Sequence, residues 1–243
     1  MALYIIFRHF TSFDRLRGHY TIGVILNTIE LTPGDTDVVK LIINKKLEQI
    51  NRQGGVQGRE LRVKYLDDKG SSETARQVVR ETMHDRHLIG YVGCWSSTRS
   101  KAISELVGPA RIPFVGGYAL TPLFSDYPTM FTAERSIVDL ASVFGELLKA
   151  YKRPAFVGKA EDLYSIAVFR KMQEVCSQNP DMELVHEKWF AGDHRYTSAD
   201  VDSLRQVLAS SASDFLVLSF ESGITSYLVR ELRKAGLTMP IYT

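Results

Sequence analysis

Cysteine is scarce: Cys94 and Cys176 are the two in 243 residues. Two cysteines make no disulfide framework, and alone they cannot hold a metal. Both read as small buried hydrophobes. Charge of one sign is missing as well. There are 30 basic and 28 acidic side chains, a net charge of +2, with no run of five like charges. That balance excludes a nucleic-acid stripe and a cationic membrane patch. The longest apolar stretches fall far short of the ~20 residues a membrane span needs, so no direct membrane insertion is expected. The N-terminus, MALYIIFRHF, is apolar but short, and Arg8 and His9 interrupt it. A secretory signal places its charge first and a small-residue cleavage site last, and TSFDRLRGHY supplies no such site. Residues 1–19 therefore read as an N-terminal extension with no clear signal peptide; a truncated leader or an upstream piece stays open.

Catalytic signatures are lacking too. There is no Gly-x-Ser-x-Gly elbow, no P-loop and no dinucleotide glycine fingerprint. His84 and His87 bracket Asp85-Arg86 after a helical run, with no third ligand nearby in sequence. They read as ordinary cations at a helix end. Asp193-His194, in a loop rich in Gly, Tyr and Ser, reads the same way. No enzymatic activity, cofactor or metal is expected.

What the chain does have is a core. Apolar residues make up 44%, enough to exclude general disorder. Buried-type strand runs recur at Thr21–Leu26, Leu61–Leu66, Leu88–Val92, Ile112–Val115, Ala155–Gly158, Leu184–Phe190 and Phe215–Phe220. Pro240–Thr243 begins one more. Helical stripes fill the gaps, over Thr36–Asn51, Ser72–Met83 and Ser136–Tyr151, then around Ile166–Cys176, Val201–Leu208 and Ile224–Ala235. Ser71 or Ser72 caps the second of these. Strand alternating with helix predicts mainly parallel sheets with helices on both faces. A break near Phe131–Ser136 divides the chain into two α/β units, 20–132 and 133–243.

The stretch INRQGGVQGRELRVKYLDDKGSS, from Ile50, carries dense turn chemistry. Gly54 can end a helix in a left-handed conformation. Gly55 and Gly58 allow a tight turn into the next strand, and Asp67-Asp68 with Gly70 turn into a capped helix. Read with the Glu-Thr-Ala that follows, this stretch resembles the first-lobe signature of type I periplasmic solute-binding proteins, the branched-chain amino acid and amide/urea group. YVGCWSSTRSKA resembles that family's Gly-x-x-Ser-Ser segment, and its Gly-Cys-aromatic wording is similar to the amide/urea branch. IPFVGGYALTPLF, AEDLYSIAVF and SDFLVLSFESGITSYLVRELRKAGLTMPIYT resemble later family segments in the family's order. The resemblance covers about residues 20–243. It implies two Rossmann-like lobes with parallel sheets, the second lobe incomplete, because members continue further and return to the first lobe.

Local chemistry at GCWSSTRS agrees with a binding role. In an open parallel α/β sheet, ligands sit beyond the carboxyl ends of the strands. A helix starting near Ser97 or Thr98 has unpaired N–H groups and a positive dipole end there. Ser96 and Ser97 add hydroxyl donors. The plainer reading is that Ser97 caps the helix and Trp95 fills the core. The resemblance tips the balance toward ligand contact by Ser97, Ser96 and Trp95. It also implies contacts from Tyr118, Ala119 and Leu120 in the next loop, where Tyr118 and Leu120 are bulkier than the family's usual residues. From the second lobe it implies Tyr164 and Glu221; Glu221 reads equally well as a helix-start acid facing water.

The function so implied is binding of a small polar solute, such as an amino acid, amide or urea-like compound, in an inter-lobe cleft. The protein would be the substrate-binding component of an ABC transporter, periplasmic or extracytoplasmic, read by a membrane permease. A ligand-sensing domain of a signalling receptor is the alternative, and a homodimer is allowed.

Overall fold

The computed structural model describes residues 18–28, 33–117, 127–133, 145–192, 194–220 and 222–243. Backbone contacts divide the chain into two compact units, Met1–Glu134 and Arg135–Thr243.

The first unit runs β1 (His19–Leu26), α1 (Pro33–Arg52), β2 (Glu60–Asp67), α2 (Ser72–Arg80), β3 (Leu88–Gly93), α3 (Ser97–Val107), β4 (Phe114–Gly116) and β5 (Met130–Thr132). The strands form one sheet in the order β2-β1-β3-β4-β5, and every pairing is parallel. The chain moves from β1 to β2 in one direction and from β2 to β3 in the other. Right-handed crossovers therefore put α1 on one face and α2 with α3 on the other. On the α2–α3 face, Ile25, Val79, Tyr91, Ile103, Val107 and Phe114 are buried in one cluster. The opposite face carries a row set by register, Val24, Val92, Val115 and Phe131. Val24 is buried there, whereas Val92 and Phe131 are exposed.

Local chemistry explains the boundaries. The Ser71 hydroxyl accepts the Thr74 N–H at 3.4 Å, so Ser71, rather than Ser72, caps α2. The helix stops at Arg80, short of the expected Met83. Just beyond, the Thr82 hydroxyl bonds the Val78 carbonyl at 2.7 Å and also meets the Tyr91 hydroxyl at 2.7 Å. Such back-bonding offers the chain an alternative to the helical ladder. Gly54 and Gly55, with φ of +100° and +75°, turn the chain out of α1. The Asn51 side-chain amide clamps both backbone groups of Leu61, each at 2.8 Å, and so docks the end of α1 on β2.

The second unit runs β6 (Pro154–Lys159), α4 (Leu163–Ser177), β7 (His186–Phe190), α5 (Ser198–Ser210), β8 (Phe215–Ser219), α6 (Ser222–Lys234) and β9 (Ile241–Tyr242). Its parallel sheet has the order β7-β6-β8-β9. One face packs α4 through Phe156, Phe169, Met172 and Val217. The other packs α5 and α6 through Val157, Leu204, Leu208, Leu218 and Leu232. The strand expected from Leu184 begins at His186 instead. Residues 145–148 are helical; the rest of the helix expected before Tyr151 lies outside the described residues. No described helix is long and apolar enough to cross a membrane.

A Cβ added at Gly23, in the middle of β1, would lie 2.4 Å from the Tyr91 ring. Gly23→Ala is therefore expected to destabilise the first unit by about 1–3 kcal/mol, read as a lower urea midpoint at unchanged slope.

Candidate functional site

The corner that ends β3 is built on two consecutive left-handed residues. Gly93 has φ +118° and Cys94 has φ +64°. At Gly93 the conformation demands glycine twice over, because a Cβ there would sit 2.2 Å from the Ile25 carbonyl oxygen. At Cys94 an L-residue holds a conformation that costs roughly 1–2 kcal/mol. The Cys94 N–H donates to the same Ile25 carbonyl, at 3.1 Å, and the side chain is 1% exposed. The bend throws Trp95 outward and starts α3 three residues later.

Ser96 is the N-cap of α3: its hydroxyl accepts the Arg99 N–H at 3.3 Å. The plainer reading places that cap one residue later, at Ser97. Ser97 is the first helical residue and is 4% exposed. The fully buried Ser100 hydroxyl, one turn on, has no nitrogen or oxygen partner among the described residues and lies by the Cys94 thiol. Trp95, which the plainer reading puts in the core, is 39% exposed. Gly117 comes up beside it: the Gly117 N–H donates to the Gly93 carbonyl at 3.2 Å, and a Cβ at Gly117 would lie 3.6 Å from the Trp95 indole nitrogen. The residue before Tyr118 thus adjoins the corner.

Beneath the corner lies a feature the sequence reading missed. Asp68, fully buried, follows β2, and its carboxylate is 3.1 Å from the guanidinium Nε of Arg99, whose side chain is 5% exposed. Asp68 also accepts the Gly70 N–H at 2.9 Å, and Cys94 Sγ lies 3.7 Å from its other oxygen. Arg99 reaches the Gly70 carbonyl at 3.4 Å. The cation in the first turn of α3 is thus matched by a carboxylate, which leaves the corner to neutral donors. Next to it, burial disfavours the Asp67 anion. Hydrogen bonds from the Thr28 hydroxyl, and from the Lys69 and Thr28 N–H groups, outweigh that and hold its carboxyl below the usual range. Burial pushes the Cys94 thiol up to about 11, against the lowering influence of Arg99.

Tyr118, Ala119, Leu120 and Glu221 lie outside the described residues. Tyr164 sits in the first turn of α4, which Asp162 caps, and it packs partly against the Phe156 cluster. Within the second unit, the Ser165 hydroxyl donates to the Ser219 carbonyl at 2.8 Å. That bond brings the residue after Tyr164 to the end of the strand that leads to Glu221. Cys176, expected to be buried, is half-buried. His87 stacks on His19 with ring centroids 4.3 Å apart. His194 meets Asp200, which takes part in the cap of α5, at 3.1 Å.

A parallel sheet with a serine-capped helix starting just beyond a strand end is the arrangement in which open α/β folds place their ligands. The sequence profile described as periplasmic binding protein matches residues 45–243, and the chain belongs to that family. Comparison with curated protein sequences finds no match. Solved structures share the fold. An ABC transporter substrate-binding protein from Desulfitobacterium hafniense is 18% identical with a TM-score of 0.67, covering 92% of this chain and 65% of that one. The branched-chain amino acid transporter substrate binding protein LivJ from Streptococcus pneumoniae, in complex with isoleucine, is 16% identical with a TM-score of 0.75, covering 92% and 63%. A solute binding protein of an ABC transporter from R. palustris, in complex with benzoate, is 14% identical with a TM-score of 0.76, covering 92% and 61%. The chain spans less than two thirds of the length of each.

Asp68→Ala would strand a buried guanidinium and is expected to cost about 3–5 kcal/mol. The double change Asp68→Leu with Arg99→Met should cost far less, and chemical denaturation of the two variants checks the difference. The raised Cys94 thiol keeps its proton in the folded state after an unfolded thiol has lost it. Its contribution to stability is therefore whole below the ordinary value of 9.0 and fades as pH rises towards about 11. Comparing wild type with Cys94→Ala across that window should show the wild type losing the extra stability.

Proposed function

We propose that the protein is a solute-binding receptor of the ABC-transporter type, which holds a small polar molecule at the Ser96–Ser97 corner without changing it. One observation carries the reading: Ser97 opens a helix just beyond a strand end, where the first N–H groups have no partner inside the helix. A carboxylate or amide oxygen would accept from the Ser97 hydroxyl and benefit from the helix dipole. Isoleucine and benzoate, found in two of the related structures, both carry a carboxylate. Ser96 completes the helix cap and Trp95 offers an aromatic wall. The family resemblance adds Tyr118, Ala119 and Leu120 as further contacts, and Tyr164 and Glu221 as well. A carboxylate at Glu221 would receive an ammonium or amide N–H of the solute. A membrane permease would be the partner that recognises the loaded form, and the compartment would be periplasmic.

Thermal unfolding with amino acids, aromatic acids, short amides and urea tests this. At 100 times Kd, one of these classes should add about 2.7 kcal/mol of stability, a rise of several degrees in Tm. Ser97→Ala should leave the unliganded Tm in place and weaken that solute about tenfold or more. The absence of a shift with every class, or a solute consumed on incubation by mass spectrometry, would sink the reading.

A further inference from the structure

Helix α1 carries two apolar stripes where docking needs one. Thr36 is buried and Val39, Ile43, Leu47 and Ile50 are half-buried on its inner side. On the opposite side Val38, Leu41 and Ile42 are 53%, 54% and 62% exposed. At 3.6 residues per turn these three share one face. Tyr65, under α1, bonds the Asn44 side chain at 2.8 Å and the Lys40 carbonyl at 3.3 Å. Those bonds turn the inner stripe to the sheet and the outer one away from it.

The outer patch is flanked by charge of opposite sign at its two ends. Exposed Asp35 stands one turn before Val38, and exposed Lys45 and Lys46 stand one turn after Leu41 and Ile42. That asymmetry suits a reversed copy of the same helix. When two α1 helices cross antiparallel near residue 40, each Asp35 meets the mate's Lys45 and Lys46. Two-fold symmetry makes that contact twice, and the opposed helix dipoles add to it. A parallel crossing would set Asp35 against Asp35.

We propose that the outer face of α1 pairs antiparallel with α1 of a second copy, making a homodimer through the first unit. The pairing is independent of what the serine corner binds. One helix face is far smaller than the ~800 Å² per partner of a standard interface, so the dimer is weak and shows itself only at high concentration.

Sedimentation equilibrium of the 243-residue chain, from about 10 µM to about 1 mM, should show a monomer–dimer equilibrium. Ile42→Asp should weaken it about tenfold or more while circular dichroism melting stays unchanged. Asp35→Lys alone, and Lys45→Glu with Lys46→Glu, should each weaken self-association. Mixing these two variants should restore a dimer. A monomer throughout the range overturns the proposal. So does a dimer that resists Ile42→Asp but is lost with Phe131→Asp, which would place the contact on the exposed sheet row instead. Charge variants that associate as well as wild type also overturn the antiparallel pairing.

Discussion

The buried pair of Asp68 and Arg99 is the constraint on which the first unit's working edge depends. Two opposite charges are taken almost wholly out of water there, an arrangement that is tolerable only with good geometry and further hydrogen bonds. The N–H of Gly70 supplies one to Asp68, and the Gly70 carbonyl receives Arg99. The pair thus ties the exit of β2 to the first turn of α3. The β3 exit is held between them, since Cys94 reaches both Asp68 and the Ser96 carbonyl through its sulfur. Three chain segments are locked at one end of the sheet, and the serines that follow inherit a fixed position.

The pair positions the corner without lending it a net charge. Arg99, in the first turn of α3, is matched in place by Asp68. What reaches the surface there is the half-buried Ser96 and the exposed Trp95. On the proposed reading, such a set favours oxygen acceptors of modest charge, held by direction more than by net attraction. It also suits reversible capture, because no buried charge has to be stripped of water each time a guest arrives or leaves.

Much of the fold was legible because fully buried strands advertise themselves. TIGVIL and FLVLSF lack polar alternation, and both prove to be central strands with neighbours on either side. Helix boundaries were less so. Either Ser71 or Ser72 could have capped α2, and only the observed geometry selects Ser71. At the corner the error was one residue, Ser97 for Ser96. The cap's identity depends on where the chain bends, and the bend uses a left-handed cysteine that no turn rule anticipates. The Asp68–Arg99 pair was hidden for another reason. Asp67-Asp68 looked like turn chemistry, and its partner lies far along the chain, within reach only after the sheet has formed. The loop residues Tyr118, Ala119, Leu120 and Glu221 rest on resemblance alone.

The two tryptophans differ in their surroundings. Trp95 in the first unit is 39% exposed, whereas Trp189 in the second is wedged against Phe156 and Phe169 at 4.9 and 5.1 Å between ring centroids. Each half of the chain therefore carries its own optical signature, a red-shifted emitter on one side and a blue-shifted one on the other. A single emission spectrum can in this way report on both halves at once.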